Sequence, residues 1–305
     1  MQTDAGQTPR ENGAFRQGTL LRGIGSFYTV MDEAGERYTL RCKKKFRHLH
    51  LTPLPGDEVL FTPGNEETHG WIEEILPRKS VFLRPPVANI SFLVIVIAPV
   101  PETDFLLADR MISRAVSQKV RILIAANKAD LDPEFAGRVQ AQYEKAGIRV
   151  FGVSAQEETG IGELKEALQG ETCCFAGQSG VGKSTLLSLL FGVQLETGEI
   201  SRKIARGKNT TRQVELYVKD GLRAMDTAGF NLLEAECFPP EELRERYPEF
   251  LPYEGKCRFR ECLHDTEPGC AVNEAVRQGL IAKERHDRYR SLLAETREAW
   301  RNRYD

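Results

Sequence analysis

Apolar and polar residues alternate over short runs in the first part of the chain. These runs cover residues 18–23, 26–31, 37–42, 57–61 and 70–76, and Gly, Pro and Asp separate them. Alternation with a period of two predicts β-strands that bury one face, and short strands at this spacing are typical of small barrels. The pattern therefore predicts an N-terminal β-barrel of the OB-fold type over residues 14–76.

The rhythm changes after residues 77–88, a segment with prolines near both ends that is predicted to be a linker. From there, apolar runs alternate with segments of helical spacing. The predicted strands are 90–98, 120–126, 148–153, 172–176 and 221–225, and the predicted helices are 103–118, 133–146, 162–168 and 183–191. This alternation predicts βαβ units and a largely parallel sheet, so residues 89–230 are expected to form an α/β domain.

Apolar periodicity weakens over residues 231–305, where acidic and aromatic residues mix with cysteine and histidine. The stretch 272–300 has helical spacing and carries several arginines, so a mainly helical C-terminal domain is predicted. Residues 1–13 are polar and lack the apolar stretch of a signal peptide. They are predicted to be a disordered tail.

The composition is that of an ordinary globular protein. The hydrophobic fraction is 41%, the charged fraction is 28%, and a net charge of -2 gives no bulk argument for nucleic-acid binding. The longest apolar run, 92–100, is far too short to span a bilayer. We therefore expect no membrane association, a cytoplasmic location and, by default, a monomer.

A phosphate-loop pattern, G-x-x-x-x-G-K-[ST], lies between a predicted strand and a predicted helix. Its residues are Gly177, Gln178, Ser179, Gly180, Val181, Gly182, Lys183 and Ser184, followed by Thr185. The glycines let successive backbone N–H groups converge on phosphate oxygens, and the helix N-terminus favours an anion. Lys183 is predicted to contact the β- and γ-phosphates, and the Ser184 hydroxyl is predicted to bind Mg²⁺.

Two later segments complete the predicted phosphate end of the site. Asp226 follows an apolar strand in the sequence Asp-Thr-Ala-Gly, where such an Asp binds Mg²⁺ and Gly229 places a backbone N–H near the γ-phosphate. Between this motif and the phosphate loop, Thr211 is preferred over Thr210 as a further Mg²⁺ ligand, with a solvated loop as the alternative. The residues do not identify the catalytic group, and Lys183, Thr211 and Gly229 are candidate switch or transition-state contacts.

A guanine-recognition pattern precedes the phosphate loop. Asn127, Lys128, Ala129 and Asp130 directly follow the predicted strand 120–126. The Asp130 carboxylate can accept both N1–H and N2–H of guanine, a donor pair that adenine lacks. Asn127 is predicted to brace the loop and the Lys128 stem to cover the base. After the next strand, Ser154 and Ala155 are predicted to supply a backbone contact to guanine O6.

The base-recognition motif comes before the phosphate loop, which inverts the usual order and predicts a circularly permuted GTPase domain. Together with the β-rich front and the Cys/His-containing end, these motifs resemble the RsgA (YjeQ) family of bacterial circularly permuted GTPases, from about Gly18 to Leu293. The resemblance implies a GTP-hydrolysing factor that binds the small ribosomal subunit and its rRNA in late maturation. It also implies that the subunit stimulates hydrolysis and that hydrolysis promotes release of the factor.

Two positions depart from expected residues. The family often has a His immediately before the paired threonines, where this chain has Asn209. Phe230 follows Gly229 at the position where Ras-like enzymes hold a water-orienting Gln, and a phenyl ring cannot orient water by hydrogen bonding. We therefore expect slow intrinsic hydrolysis that a partner stimulates. Because the permutation makes residues 226–230 the join to the C-terminal domain, we also expect nucleotide state to reach that domain through them.

Four residues of the C-terminal region predict a metal site: Cys257, Cys262, His264 and Cys270. Three thiolates and one imidazole make a closed tetrahedral set for one structural Zn²⁺. The seven cysteines are odd in number and no secretion signal is present, which argues against a disulfide framework. The other thiols are expected to be ordinary core or surface groups.

A basic run inside the predicted barrel is a candidate for RNA binding, and its cations are Arg41, Lys43, Lys44, Lys45 and Arg47. OB-folds bind nucleic acid through loops and one sheet face, and cations neutralise phosphates. A solvated loop is the alternative for this run. For the arginines of 272–300, a solvated helix face is as good an interpretation as RNA binding.

Two other functions stay open from the residues alone. An RNA-binding assembly module with a mainly structural nucleotide would carry the same motifs, and single-turnover hydrolysis on the subunit separates it from a GTPase. A small-molecule kinase or ATPase would share the phosphate loop, but Asp130 argues against it.

Overall fold

The structure is a computed structural model that describes residues 15–65, 68–83, 85–192, 214–226 and 237–303, apart from the side chains of Arg47 and Asp226. The chain divides into two compact units, Met1–Arg78 and Lys79–Asp305. The boundary between them falls within the segment that composition predicts as a linker.

The first unit is a closed barrel with the strand order β1-β2-β3-β5-β4. Its elements are β1 Arg16–Ile24, β2 Phe27–Asp32, β3 Arg37–Cys42, the short helix α1 Lys45–His48, β4 Glu58–Thr62 and β5 Gly70–Ile75. Neighbouring strands are antiparallel except β3 and β5, which are parallel. The barrel core contains Leu20, Val30, Leu40, Phe46, Val59, Phe61 and Ile72. These features confirm the predicted OB-like barrel.

Closure of the barrel requires a glycine at position 70, the first residue of β5. A Cβ atom on Gly70 would lie 2.4 Å from the Thr62 carbonyl oxygen and 2.6 Å from a methyl group of Leu40. Gly70 starts β5, which pairs with β3 on one side and with β4 on the other. The absent side chain therefore lets three strands approach one another at this point.

The second unit contains a six-stranded sheet with the order β10-β9-β8-β11-β13-β12. Its strands are β8 Phe92–Ile97, β9 Arg121–Ala126, β10 Arg149–Gly152, β11 Thr172–Ala176, β12 Leu216–Lys219 and β13 Leu222–Asp226; a separate hairpin, β6 Val81–Leu83 and β7 Pro86–Ala88, lies within the predicted linker segment. The helices are α2 Phe105–Ser117, α3 Phe135–Tyr143, α4 Ile161–Ala167 and α5 Lys183–Phe191. Within the described strands of this sheet, β12 alone runs antiparallel to its neighbour. The parallel strands confirm the predicted α/β domain. Strand β12 was not predicted from the apolar pattern.

The central strands are buried on both faces because helices cover the sheet on each side. In β8, the five residues from Leu93 to Ile97 are all buried. One core cluster joins Val94 and Val96 to Phe175 and to Leu186 and Leu187 of α5. A near-continuous apolar run such as 92–97 is therefore the sequence signature of this central strand.

The C-terminal part of the second unit is mainly helical, as predicted. It contains two 3₁₀ helices, Pro240–Arg246 and Pro248–Tyr253, and two α-helices, α6 Ala271–Arg277 and α7 Lys283–Arg301. Its core includes Tyr247, Phe250, Cys262, Cys270 and Tyr289, and Leu106 of α2 packs against it. Among the described helices, none combines the length and the apolar character needed to cross a bilayer.

Candidate functional site

The base-recognition and phosphate motifs meet at one edge of the sheet, although they are separated in sequence. Asn127 directly follows β9, and Gly177 directly follows β11. Both strands run parallel to β8, which lies between them. Loops at the carboxyl ends of parallel strands share one edge, where open α/β sheets bind their ligands. The inverted motif order therefore leaves the spatial arrangement of a nucleotide site intact.

The Asn127 side chain connects three loops. Its Nδ2 donates to the carbonyl of Val181 in the phosphate loop at 2.8 Å, and its Oδ1 accepts from the Ala155 backbone N–H at 3.0 Å. Only 1% of Asn127 is exposed, so both polar atoms of the buried amide have partners. The side chain thus braces the base-recognition loop against the phosphate loop and against the loop after β10.

Lys128 lies across the same junction. Its Nζ donates to the carbonyls of Val100 at 2.6 Å and Gly180 at 2.8 Å. Its backbone has a φ of 61°. These contacts hold the Lys128 side chain between the base-recognition motif and the phosphate loop.

The carboxylate of Asp130 is oriented by a serine from the next loop. The Ser154 hydroxyl donates to Asp130 Oδ1 at 2.5 Å and accepts from the Glu157 backbone N–H at 3.1 Å. Ser154 is fully buried, whereas Asp130 is half-buried. A buried hydroxyl that donates to one carboxylate oxygen fixes the rotamer of Asp130 and keeps the acceptor pointed toward the site.

Two glycines of the phosphate loop are required by close contacts as well as by backbone angles. Gly177 has a φ of 142°, and a Cβ atom there would lie 2.1 Å from the Val96 carbonyl oxygen. Gly182 has a φ of 93°, and a Cβ atom there would lie 2.3 Å from Asn127 Nδ2. Any larger residue at 182 would therefore displace the brace that Asn127 forms.

Lys183 opens α5 and folds back over the phosphate loop. Its Nζ donates to the carbonyls of Gly177 and Gln178, each at 2.7 Å. Ser184 and Thr185 follow in the first turn of the helix. The positive Nζ and the positive N-terminal end of α5 therefore lie together at the concave side of the loop, an arrangement that suits a phosphate group.

Gln178 connects the phosphate loop to α2. Its Nε2 donates to the Glu102 carbonyl, and its Oε1 accepts from the Asp104 backbone N–H, both at 2.9 Å. Asp104 caps α2, since its side chain accepts from the Leu107 backbone N–H. The phosphate loop is thus fixed to the first turn of a helix whose role the sequence pattern did not suggest.

Several predicted residues lie outside the described part of the chain. These are Asn209, Thr210, Thr211, Gly229 and Phe230, together with the side chain of Asp226. The predicted join between the nucleotide domain and the C-terminal domain also falls largely within residues 227–236. The backbone of Asp226 ends β13 beside β11, which brings it to the phosphate-loop edge of the sheet.

The four predicted metal ligands come together in the C-terminal region. The ligand atoms of Cys257, Cys262, His264 and Cys270 all lie within 4.8 Å of one another. The His264 ring presents Nδ1 to the sulfurs, at 3.6 Å from Cys257 and 3.4 Å from Cys270. Around a tetrahedral zinc ion, ligand atoms are roughly 3.5–3.8 Å apart, so this donor set fits one such ion.

Backbone N–H groups surround the cysteine sulfurs. The N–H groups of His264, Ala271 and Asn273 donate to the sulfurs of Cys262, Cys257 and Cys270 respectively, at 3.3–3.4 Å. Such donors favour thiolates and orient them. Burial lowers the pKa of His264 to about 4, which keeps its imidazole in the neutral form that ligates metals.

A buried charge network, which the sequence pattern did not identify, joins the nucleotide domain to the C-terminal region. Asp109 of α2 accepts from Arg285 and Arg288 of α7, each at 2.5 Å, and from the Tyr143 hydroxyl at 2.7 Å. Arg285 also pairs with Glu249 at 2.6 Å. Asp109 and Arg285 are at most 1% exposed. These arginines therefore serve neither as a solvated face nor as an RNA contact.

The basic run of the barrel divides into distinct environments. Lys43 is half-buried and pairs with Glu73. Lys44 and Lys45 are exposed, and Arg41 is exposed with its guanidinium 4.9 Å from the centre of the Phe27 ring. The side chain of Arg47 is outside the described residues. The cations therefore differ in how readily they can reach a phosphate.

Comparison with known proteins identifies the family to which this chain is similar. Residues 75–236 match the family model described as the RsgA GTPase, and residues 17–72 match the RsgA N-terminal domain. The chain is 44% identical to a small ribosomal subunit biogenesis GTPase RsgA of Ruminiclostridium cellulolyticum, over 90% of this chain and 92% of that protein. It is 42% identical to the protein of that name from Caldanaerobacter subterraneus, over 94% and 98%.

Solved structures agree with the fold. The crystal structure of YjeQ from Thermotoga maritima aligns with a TM-score of 0.79 and 33% identity, covering 92% of this chain and 98% of that one. YloQ, described as a circularly permuted GTPase, aligns with a TM-score of 0.76 and 28% identity, covering 96% and 98%. Both matches cover more than nine tenths of this chain. The chain belongs to the RsgA family of circularly permuted GTPases.

Proposed function

We propose that this protein is a GTP-hydrolysing factor of small ribosomal subunit biogenesis, which binds the subunit and its rRNA in late maturation. Subunit binding stimulates hydrolysis, and hydrolysis promotes release of the factor. The proposal rests on membership of a family whose curated members carry that name. It places the protein in the cytoplasm, as a monomer away from the subunit.

One observation supports guanine-nucleotide chemistry most directly. The Asn127 amide bonds to Val181 of the phosphate loop and to Ala155 of the loop after β10. A single buried side chain therefore fixes the base-recognition motif relative to the phosphate loop. The base-binding and phosphate-binding ends of the site must be one nucleotide length apart. The hydrogen bond from Asn127 to Val181 helps to set that distance.

The described residues, together with Thr211 and Asp226 of the sequence motifs, suggest a role for each part of the site. Asp130, held by Ser154, accepts from N1 and N2 of guanine, and Lys128 covers the base plane. The phosphate loop, with Ser179 and Gly180 exposed at its tip, surrounds the phosphates, and Lys183 supplies positive charge to them. Ser184, Thr211 and Asp226 would hold Mg²⁺, which neutralises charge on the phosphates when bound. Thr185 would contact the phosphates from the first turn of α5.

The Cys/His cluster would hold one Zn²⁺ in a structural role. Its three sulfurs and one imidazole nitrogen leave no ligand position for water, and two of the cysteines are part of the C-terminal core. A closed site of this type stabilises the fold around it. We therefore assign it to the architecture of the C-terminal region and not to the hydrolytic step.

The barrel would bind RNA through its basic run. Lys44 and Lys45 are exposed, whereas Lys43 is held by Glu73. Contacts from Arg41, Lys44, Lys45 and Arg47 to phosphates would make subunit affinity fall as salt rises. Replacing Lys43, Lys44 and Lys45 with Glu is expected to weaken subunit binding and to leave GTP affinity intact.

GTP hydrolysis measured with and without purified small subunits tests the proposed function. We expect slow turnover by the protein alone and an increase of about tenfold or more with small subunits. Purified large subunits at the same concentration provide the matched control and are expected to give no increase. Equal turnover in all three conditions would refute the proposal. Absence of single-turnover hydrolysis on the subunit would favour a binding module with a structural nucleotide.

A further inference from the structure

A row of exposed side chains crosses four strands of the barrel. The strand registers place Ile24 opposite Phe27, Phe27 opposite Arg41, and Arg41 opposite Trp71. Three of these residues are apolar and exposed: Ile24 is 45% exposed, Phe27 is 37% exposed and Trp71 is 41% exposed. We call Ile24, Phe27, Arg41 and Trp71 the outer row.

The outer row lies on the outside of the barrel because side chains alternate along each strand. Leu40 and Ile72, the neighbours of Arg41 and Trp71, are fully buried in the barrel core. Single exposed apolar residues are common on protein surfaces. Three of them in one cross-strand row, two of them aromatic, form a contiguous surface that marks a binding site.

Phe27, in the outer row, is ordered by contacts with Arg41 of the same row and with the neighbouring His69. The Arg41 guanidinium lies 4.9 Å from the centre of the Phe27 ring. The His69 ring meets Phe27 at a centroid distance of 4.9 Å and an angle of 69°. These contacts fix the Phe27 ring before any ligand arrives, which lowers the entropic cost of binding.

The charges around the row favour an anionic ligand. Arg41 belongs to the row, and β3 leads from it to Lys44 and Lys45, which are exposed. Phe27 and Trp71 lie two strand spacings apart, roughly 10 Å, and Arg41 occupies the strand position between them. Flat apolar faces that alternate with a planar cation suit nucleobases and phosphates better than they suit a protein side-chain surface.

We propose that the outer row is a stacking platform for unpaired nucleotides of rRNA. Bases stack on Phe27 and Trp71, and Arg41 contacts the intervening backbone. The inference rests on the proposed function, because rRNA is the single-stranded ligand that a subunit-bound factor meets. It identifies unpaired nucleotides as the target of this face, since a duplex keeps its base faces stacked inside.

The two tryptophans of the chain allow a direct test, since Trp300→Phe leaves Trp71 as the sole tryptophan. The probe is a single-stranded oligoadenylate of about a dozen nucleotides, added to the full chain. Saturable quenching of Trp71 fluorescence is expected. The same oligoadenylate paired with oligouridylate is expected to quench much less. Equal quenching by duplex and single strand, or none by either, would overturn the proposal.

Substitutions locate the contact. Phe27→Ala and Trp71→Ala are each expected to weaken oligoadenylate binding, measured by fluorescence anisotropy of a labelled probe, by roughly 5- to 150-fold. Trp71→Phe keeps an aromatic face and is expected to retain most of the affinity, whereas Trp71→Leu is not. Leu49→Ala, which removes an apolar side chain that is 63% exposed in the same unit, is the matched control.

A second pair of substitutions distinguishes a specific contact by Arg41 from a general effect of positive charge on RNA binding. Arg37 and Arg41 are both exposed on β3 and four positions apart, so they share the outer face. Arg41→Gln is expected to weaken binding more than Arg37→Gln at the same salt concentration. Circular dichroism and urea unfolding of each variant establish that the barrel is folded. Equal losses from the two substitutions would overturn the role assigned to Arg41.

Subunit binding distinguishes this inference from the proposed function. If small subunits stimulate wild-type hydrolysis and the Phe27 and Trp71 variants bind subunits as tightly as Leu49→Ala does, the platform is wrong and the function stands. If small subunits do not stimulate wild-type hydrolysis, the proposed function is wrong whatever oligoadenylate does. If the variants lose subunit binding while oligoadenylate never quenches Trp71, the row contacts protein and the RNA proposal is overturned.

Discussion

Asp109 of α2 and Arg285 of α7 form a buried ion pair, with Oδ1 and Nη1 2.5 Å apart and both side chains at most 1% exposed. Burial alone would lower the pKa of Arg285, but the carboxylates of Asp109 and Glu249 outweigh it and hold the pKa well above its ordinary value. The pair joins the nucleotide domain to the region that carries the metal cluster. Helix α2 also contacts the phosphate loop through Gln178.

Removal of one partner from this pair is expected to be costly. Arg285→Met leaves the buried Glu249 carboxylate without its cation and leaves Asp109 paired with Arg288 alone, which is expected to lower the free energy of unfolding of the second unit by about 3–5 kcal/mol. Arg110→Met is the matched control, because Arg110 joins the same two helices through Glu295 at 2.7 Å but is partly exposed. That change is expected to cost about 1 kcal/mol or less. Urea unfolding monitored by the protection of α7 amides measures both, and equal costs would contradict the assignment.

Asp130 is expected to determine the base that binds. Asp130→Asn replaces an acceptor with a group that can donate, so it should shift preference from guanine toward xanthine nucleotides. Asp132→Asn provides the control, because Asp132 lies in the same loop but pairs with Arg138 at the surface. Competition between labelled GDP and xanthosine diphosphate measures the preference. Lack of any nucleotide discrimination would favour a kinase or ATPase that does not read guanine, and an unchanged guanine preference in Asp130→Asn would contradict the role assigned to Asp130.

Gly182 is expected to tolerate no side chain. Gly182→Ala places a Cβ atom 2.3 Å from Asn127 Nδ2 in a backbone conformation that alanine rarely adopts. The brace to Val181 must then break, and GDP affinity is expected to fall by about tenfold or more. Gly137→Ala, in an exposed position of α3 with nothing within 4 Å of its Cβ, is expected to leave affinity unchanged and to stabilise the helix by about 1 kcal/mol. Equal GDP affinity in the two variants would show that the brace is dispensable.

Metal is expected to be present at near-stoichiometric level and to stabilise the C-terminal region. Cys262→Ser removes a buried ligand, and it should abolish zinc retention after exhaustive dialysis and lower the free energy of unfolding by about 3 kcal/mol or more. Cys237→Ser is the control, since Cys237 is exposed and lies outside the cluster. Elemental analysis and hydrogen exchange of residues 257–277 measure the two effects. A wild-type protein without zinc would refute the site.

Much of this protein is determined by local sequence patterns. The apolar run of 92–97 is long enough to identify a strand buried on both faces, and the alternation in 27–32 and 37–42 identifies barrel strands. The phosphate loop needs glycines at fixed spacing, and the metal cluster needs thiols and an imidazole close in sequence. Each pattern depends on contacts between near neighbours, and one stretch of chain is therefore enough to reveal it.

Contacts between distant segments could not be predicted in the same way. Edge strand β12 is only four residues long, and its place in the sheet depends on its pairing with β13. Asp109 and Arg285 each look like ordinary charges on amphipathic helices, and only their burial against one another distinguishes them from solvated residues. The outer row likewise exists only because two strand registers bring Phe27, Arg41 and Trp71 side by side.

The sequence by itself determined the ligand classes and the permuted order of the nucleotide motifs, because those depend on residue type and spacing. The tertiary structure decided that Asn127 joins the two ends of the nucleotide site, that Arg285 and Arg288 of α7 pack against Asp109, and that the outer row faces solvent. The physical reason is burial. Whether a charge or an aromatic ring meets water depends on which segments pack over it, and packing involves parts of the chain that are far apart in sequence.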